Sequence, residues 1–315
     1  MPHLTYALIT PAKNEAEFIE QTILSVVAQE YRPLKWVIVD DGSSDGTAEI
    51  VARFARRHDF IVLLKRNGSN KRSFVSKVQA FNTGLSALED TQCELIGNLD
   101  ADVVLRPDYY ANMIAAFASD QQLGIVGGTV FCKTGSEYET NDTTIDSVAG
   151  AVQLFRRECF EQIGGYILPQ CGGIDAGVED ASAEIVARMH GWGVRKISDN
   201  PVYEERRTGS TQHGRFVGRY KEGIAFHCLG YSTRFFLLRC LYRFKERPAC
   251  LGSLLSLLGY LSAKIRRLPI CLTPEATHYL RSEQSQKIRA ILTLKKTPSL
   301  LCVNRRIAHK KGTNA

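Results

Sequence analysis

The apolar run Leu95-Ile96-Gly97-Asn98-Leu99 ends on Asp100-Ala101-Asp102, two carboxylates with one residue between them. In an extended chain alternate residues face the same side. Both acids are then expected to offer oxygen to one hard cation, Mg²⁺ or Mn²⁺, of the kind that also holds a diphosphate. Standing alone, the pair fits a helix cap or a solvated strand end equally well. Two other segments converge on it: Thr10-Pro11-Ala12-Lys13-Asn14-Glu15, and Val39-Asp40-Asp41-Gly42-Ser43-Ser44-Asp45-Gly46-Thr47. Together they form a pocket in which Asp41 is placed to accept a hydrogen bond from a base N–H, while Ser44 or Asp45 caps the helix that follows.

Those segments need elements to hold them. Tyr6-Ala7-Leu8-Ile9-Thr10 and Trp36-Val37-Ile38-Val39 read as β-strands, and between them Phe18, Ile19, Ile23, Val26 and Val27 recur at helical spacing. A second helix is predicted over 48–57, a strand over 61–64, a helix over 76–88 and a strand over 94–99. Such alternation with short connections predicts an α/β fold, a mostly parallel central sheet with helices on both faces. Ligands of open sheets bind beyond the carboxyl ends of the strands, and all three polar segments lie there. Farther on, a glycine- and acid-rich loop from Gly172 to Asp180 leads into a helix predicted over 183–190.

The charge is not evenly spread. Residues 201–315 hold 22 of the 40 Lys and Arg but 6 of the 33 Asp and Glu, so a basic C-terminal part follows an acidic N-terminal one. Its basic residues alternate with apolar helical stretches, Phe235 to Phe244 and Leu251 to Ala263, both shorter than the roughly 20 apolar residues of a spanning helix. Helices lying in a membrane interface fit this pattern, and so do amphipathic helices packed on the preceding domain. No nucleic-acid module accompanies the basic residues, and nucleic acid is not expected as a partner. Nine scattered cysteines without a C-x-x-C pair point to a reducing compartment rather than a disulfide framework or a structural zinc site. Met1-Pro2-His3 runs directly into the first strand, so no export signal is expected.

Taken in order, these motifs resemble the family 2 glycosyltransferases, which have the nucleotide-diphospho-sugar transferase (GT-A) fold; the resemblance covers roughly residues 4–200. It implies that Pro11, Ala12 and Glu15 line a nucleoside pocket, that Asp41 contacts the base, that Asp100 contacts the ribose or sugar, and that Asp102 binds a divalent metal. Lys77-Val78-Gln79-Ala80-Phe81-Asn82-Thr83-Gly84 looks like the family's K-x-x-A-x-N-x-G helix, whose lysine lies near the donor diphosphate, although Ser76 stands where glycine is common. Glu179-Asp180 matches the later E-D motif that supplies the catalytic base. Beyond it the spacing to Arg188 departs from the commonest pattern, which leaves Asp175 as a rival base. Gln212-His213-Gly214-Arg215-Phe216 is similar to the Q-x-x-R-W motif of processive members, but Phe216 replaces the tryptophan and processive synthesis is disfavoured. Arg215, Arg219 and Lys221 suit a donor diphosphate, a lipid phosphate or a solvated helix face.

The expectation is a metal-dependent (Mg²⁺ or Mn²⁺), inverting transferase domain over residues 1–205 and a basic, membrane-associating region over 206–315. It would act at the cytoplasmic face of a membrane, moving a sugar from a nucleotide-sugar donor, UDP favoured, to a lipid or glycan acceptor in surface-polysaccharide synthesis. Two rivals stand beside it. A sugar-phosphate nucleotidyltransferase would carry a glycine-rich phosphate loop after the first strand, and Pro11 to Glu15 is not one. A non-catalytic nucleotide-sugar or membrane-binding scaffold would lack the metal carboxylate or the base.

Overall fold

The computed structural model of the chain describes residues 4–68, 72–134, 137–140, 147–168, 171–206, 214–245 and 250–293. Parallel strands β1 (Tyr6–Ala12), β2 (Lys35–Asp40), β3 (Ile61–Lys65) and β4 (Leu95–Asn98) lie in the order β3-β2-β1-β4. Helices α1 (Ile19–Val27), α2 (Thr47–Ala55) and α3 (Phe74–Ser86) make the crossovers.

Period-two alternation explains why both faces are covered. Tyr6 and Leu8 of β1, with Trp36 and Ile38 of β2, enter one core with α1, α2 and α4 (Tyr109–Ser119). Ala7 and Ile9, with Val37 and Val39, enter the opposite core with α3, α5 (Arg157–Gln162) and α6 (Glu179–Met189). The α/β architecture with helices on both faces, expected from the sequence, is therefore present.

The sheet continues through β8 (Leu154–Arg156), antiparallel to β4, to the long strand β6 (Leu123–Thr134), which pairs in parallel with β9 (Gly193–Glu204). Strand β5 (Val103–Leu105) closes the far edge against β9, and β7 (Glu137–Glu139) pairs with β6. The C-terminal helices α7 (Arg215–Cys228), α8 (Thr233–Tyr242), α9 (Leu251–Ile265) and α10 (Pro274–Thr293) follow. Ile224, Cys228, Ala263 and Leu280 from this part share a third core with Cys171, Val178 and Ile185, so these helices pack directly on the acid-rich loop and α6.

Candidate active site

The strand order turns back on itself between β1 and β4, and the candidate residues gather at the carboxyl ends of these strands and of β2. Pro11 and Ala12 end β1. Asn14 adopts a left-handed φ of 53°, which asparagine tolerates; its backbone N–H donates to Ser43 Oγ at 2.9 Å, and its side-chain oxygen accepts from Ser44 N at 2.8 Å. Thr47 Oγ1 accepts from Glu15 N at 2.8 Å and Asp45 from Ala16 N at 3.0 Å. The serine- and acid-rich stretch after β2 thus works as a clasp on the loop after β1 as well as a turn before α2.

Asp41 is buried, and its carboxylate is engaged by Arg66 and by the hydroxyl of Ser76. Lys13 Nζ donates to the Asp41 carbonyl at 2.8 Å. Ser76, the departure from the family's usual glycine, therefore has a partner of its own at the start of α3. The next residue of the same helix, Lys77, pairs with Asp100 at 2.7 Å.

Asp100 and Asp102 lie in the turn between β4 and β5 rather than on the strand itself. Burial, then the neighbouring charge of Asp100, raises the Asp102 pKa against the pull of Arg206, Arg72 and Lys77. The Asp102 carboxylate accepts no hydrogen bond within the described residues; the Nε of Arg206 stands 4.0 Å away. At 6% exposure this carboxylate has only the distant Arg206 guanidinium as a paired cation, and a carboxylate oxygen is the donor type that suits a hard divalent ion. The chemistry of Asp102 is thus compatible with a divalent metal, although no group of three or more His, Cys, Asp or Glu able to hold one occurs among the described residues.

Glu179 and Asp180 form the first turn of α6, four residues earlier than the helix predicted from Ala183 onward. Acids are favoured at a helix N-terminus, where unpaired N–H groups point outward. Asp180 Oδ2 accepts from Gly150 N at 3.2 Å, and the Gly150 carbonyl is held by the side chain of Asn98, which also reaches Asp100 at 3.4 Å. Lys77 feels both Glu179 and Asp180 electrostatically. A ring of contacts running from Asp180 through Gly150, Asn98, Asp100 and Lys77 thus joins the end of β4 to the start of α6. Burial, then the charge of Asp180, pushes Glu179 up to about 7. Asp175 is placed differently: its Oδ1 accepts from Phe74 N at 2.8 Å and so caps the N-terminus of α3.

Three arginines complete the site without having been singled out from the sequence. Arg206, immediately beyond β9, makes two hydrogen bonds to Glu15 at 2.7 and 3.2 Å, and its guanidinium lies 4.6 Å from the Phe18 ring centroid. It is aimed by a backbone bond from Glu205 N to the Asp102 carbonyl at 2.9 Å. Arg72 is a second partner of Glu15. Burial pushes Glu15 up to about 7 against the pull of Arg72, with Asp102 adding to the rise and Arg206 opposing it. Arg66 is the third, on Asp41. The only sequence signal was the onset of basic residues near position 206. Gln212, His213 and the side chain of Arg215 lie outside the described residues. Arg219 is on α7, paired with Glu222 at 2.9 Å, among the C-terminal helices.

Comparisons with known proteins bear on the family and the fold. The family model Glycosyl transferase family 2 matches residues 7–172. The poly-beta-1,6-N-acetyl-D-glucosamine synthase of Staphylococcus epidermidis is 31% identical over 171 residues, covering 48% of this chain and 39% of the synthase. The chain thus matches well under half the length of that relative. A mannosyltransferase of Pyrobaculum calidifontis, solved with GDP-Man and Mn²⁺, superposes with a TM-score of 0.57 at 20% identity, covering 92% of this chain and 86% of that one. Residues 1–349 of Staphylococcus aureus TarS, solved with UDP-GlcNAc, superpose with a TM-score of 0.56 at 16% identity, covering 92% and 91%. At such identities the superpositions establish a shared GT-A fold, and with the family match spanning more than half of the chain, this protein belongs to glycosyl transferase family 2.

Proposed function

We propose that the chain is an inverting glycosyltransferase that moves one sugar from a nucleoside-diphosphate sugar, UDP favoured by the family resemblance, to a hydroxyl acceptor. The observation that supports this reading is the junction of Asp100, two residues before Asp102, with Asp180 through Asn98 and Gly150, with Lys77 paired to Asp100. A nucleotidyltransferase or a binding scaffold has no need of a carboxylate base held beside a diphosphate site.

Each residue has a task in this scheme. Pro11, Ala12 and Glu15 border the nucleoside; Asp41 reads the base once Arg66 turns aside; Asp100 holds the ribose or sugar. Lys77 and Arg206 supply cationic donors where the departing diphosphate gathers charge. Asp102 would hold the divalent metal, Mg²⁺ or Mn²⁺, which when bound neutralises diphosphate oxygens. Asp180 takes the proton of the acceptor hydroxyl as that oxygen bonds to the anomeric carbon, while the bond from that carbon to the diphosphate oxygen breaks and the configuration inverts. Glu179 beside it holds the local charge. Asp175 is the rival base; both carboxylates accept backbone bonds, but only Asp180 belongs to the contacts that reach Asp100, whereas Asp175 holds the start of α3.

We further infer that the acceptor is a lipid or lipid-linked glycan of surface-polysaccharide synthesis, met at the cytoplasmic face of a membrane. The exposed apolar helices after residue 206 support this, and among the described residues no helix is long and apolar enough to cross a membrane. Donor turnover separates the roles. Asp102→Ala should abolish it with the fold intact by circular dichroism, and Asp180→Asn should abolish transfer while sparing donor binding. Near-native turnover in Asp102→Ala, or loss of transfer in Asp175→Asn but not in Asp180→Asn, would refute these assignments.

A further inference from the structure

Helix α9 is packed inside out. Its buried residues include Gly252, Ser256, Gly259 and Ala263, while Leu251, Leu254, Leu258, Leu261 and Ile265 are exposed by 43, 52, 48, 37 and 80%. Those five follow one another at steps of three and four residues, which places them on a single stripe. The small residues face α7 because the two helices cross at backbone contact: a Cβ on Gly223 would lie 1.8 Å from the Ser256 carbonyl oxygen, and one on Gly259 would lie 2.0 Å from that of Tyr220. In water the leucines of such a helix belong inside. Small residues at the crossing and leucines outside are the arrangement of helices whose outer face meets hydrocarbon.

Helix α8 extends the same character. Leu237, Leu238, Leu241 and Tyr242 are exposed by 41, 46, 69 and 43%, and only Phe236 of this helix is buried. Neither α8 nor α9 contains an acidic residue, whereas Arg234, Lys264, Arg266 and Arg267 are exposed on or just beyond them. An apolar face with a purely basic margin matches an anionic bilayer surface. A second copy of this chain would instead bring like charges together.

Between α7, α8 and α9 lies a partly open pocket lined by Arg219, Glu222, Arg239, Arg243 and Ser253, with room of about 20 Å³, enough for one water-sized group. Glu222 is shared by Arg219 at 2.9 Å and Arg243 at 2.7 Å. Burial acts to raise the Glu222 pKa, yet Arg243, Arg219 and Arg239 together hold it below its usual value, a sign of how positive the cluster is. The third guanidinium stacks on an aromatic ring: Arg239 Cζ lies 4.8 Å from the Phe226 ring centroid, and its buried Nε has no hydrogen-bond partner among the described residues. A buried donor of that kind calls for an acceptor oxygen.

We propose that the α8–α9 face docks the chain on an anionic membrane, its leucines entering the acyl boundary and one head-group phosphate oxygen accepting from Arg239 in the pocket beneath. This deepens the membrane part of the function proposed above and requires nothing of the donor reaction. The test is co-sedimentation of the full chain with vesicles of phosphatidylglycerol and phosphatidylcholine, or of phosphatidylcholine alone, at fixed ionic strength. Wild type should bind the anionic vesicles. Arg239→Gln should weaken that binding about five-fold, one charge-assisted contact near the surface. Leu241→Ser with Ile265→Ser, at positions too exposed to disturb the core, should weaken binding to both vesicle types. If wild type binds neither vesicle, the membrane reading fails. Should Arg239→Gln bind as wild type does, or millimolar inorganic phosphate alone saturate the pocket and leave vesicle binding unchanged, the head-group assignment fails. A dimer in sedimentation equilibrium that Leu241→Ser with Ile265→Ser abolishes, without vesicle binding, would assign the face to a second copy instead.

Discussion

At the scale of single residues, the two candidate bases are distinguished by where their backbone partners lie: Asp180 is tied to Gly150 and through it to Asn98 and Asp100, Asp175 to the start of α3. Asp175 spends an oxygen on Phe74 N, so Asp175→Ala should cost about 1 kcal/mol of stability, as loss of a helix cap does, and leave most of the transfer rate. Thermal denaturation and initial rates measured side by side would show this; the opposite pattern would make Asp175 the base. Gly150 offers a subtler probe, because a Cβ there would come within 2.9 Å of Asp180 Oδ2. Gly150→Ala should therefore push Asp180 aside and lower kcat by roughly ten-fold or more while donor Kd stays unchanged. The acids Asp41, Asp100, Asp102, Glu179 and Asp180 were legible in the sequence, because each belongs to a short motif at the end of an element. Arg66, Arg72 and Arg206 were not. Glu15 and Arg206 are separated by most of the chain, and nothing local in either segment announces that β9 delivers one to the other.

Among the elements, β1 to β4 and α1 to α3 were readable because their hydrophobic periods are clean. Strands β6 and β9, each of 12 residues, were not. β6 carries Gly124, Gly127 and Gly128, and β9 carries Asp199-Asn200-Pro201, all of which read locally as turns. The structure keeps both as strands by placing register irregularities at those points, between Leu123 and Ile125 and between Gly128 and Thr129. Helix α6 carries a further consequence. Its Glu184 is buried, accepts from Val148 N at 2.6 Å, and is pushed by burial from 4.5 up to about 7. The folded chain then retains a proton between those values that the unfolded chain has lost. Stability from this group is fullest below about pH 4.5 and declines as pH rises toward about 7. Glu184→Gln, which can still accept from Val148, should remove that share of the decline and gain on the order of 2 kcal/mol at pH 8. Urea unfolding at pH 5 and pH 8 would check the sign; equal effects at both pH values would contradict it.

For the whole molecule, the charge asymmetry visible in the sequence separates two parts of the fold. The acidic N-terminal part gathers its carboxylates at one sheet edge, and the basic C-terminal part carries the leucine-covered helices, both joined through the third core beneath the loop at 171–178. That packing was not legible, since it depends on small residues at a crossing and not on a periodic stripe. The central claim, a metal-assisted nucleotide-sugar site at Asp102, is tested most directly by calorimetric titration of the full chain with UDP-, GDP- and dTDP-sugars, with and without Mn²⁺. The account predicts saturable binding of one nucleotide class, UDP by preference, that strengthens with Mn²⁺ and loses that dependence in Asp102→Ala. Binding of no nucleotide sugar, or binding indifferent to both Mn²⁺ and Asp102, would contradict it.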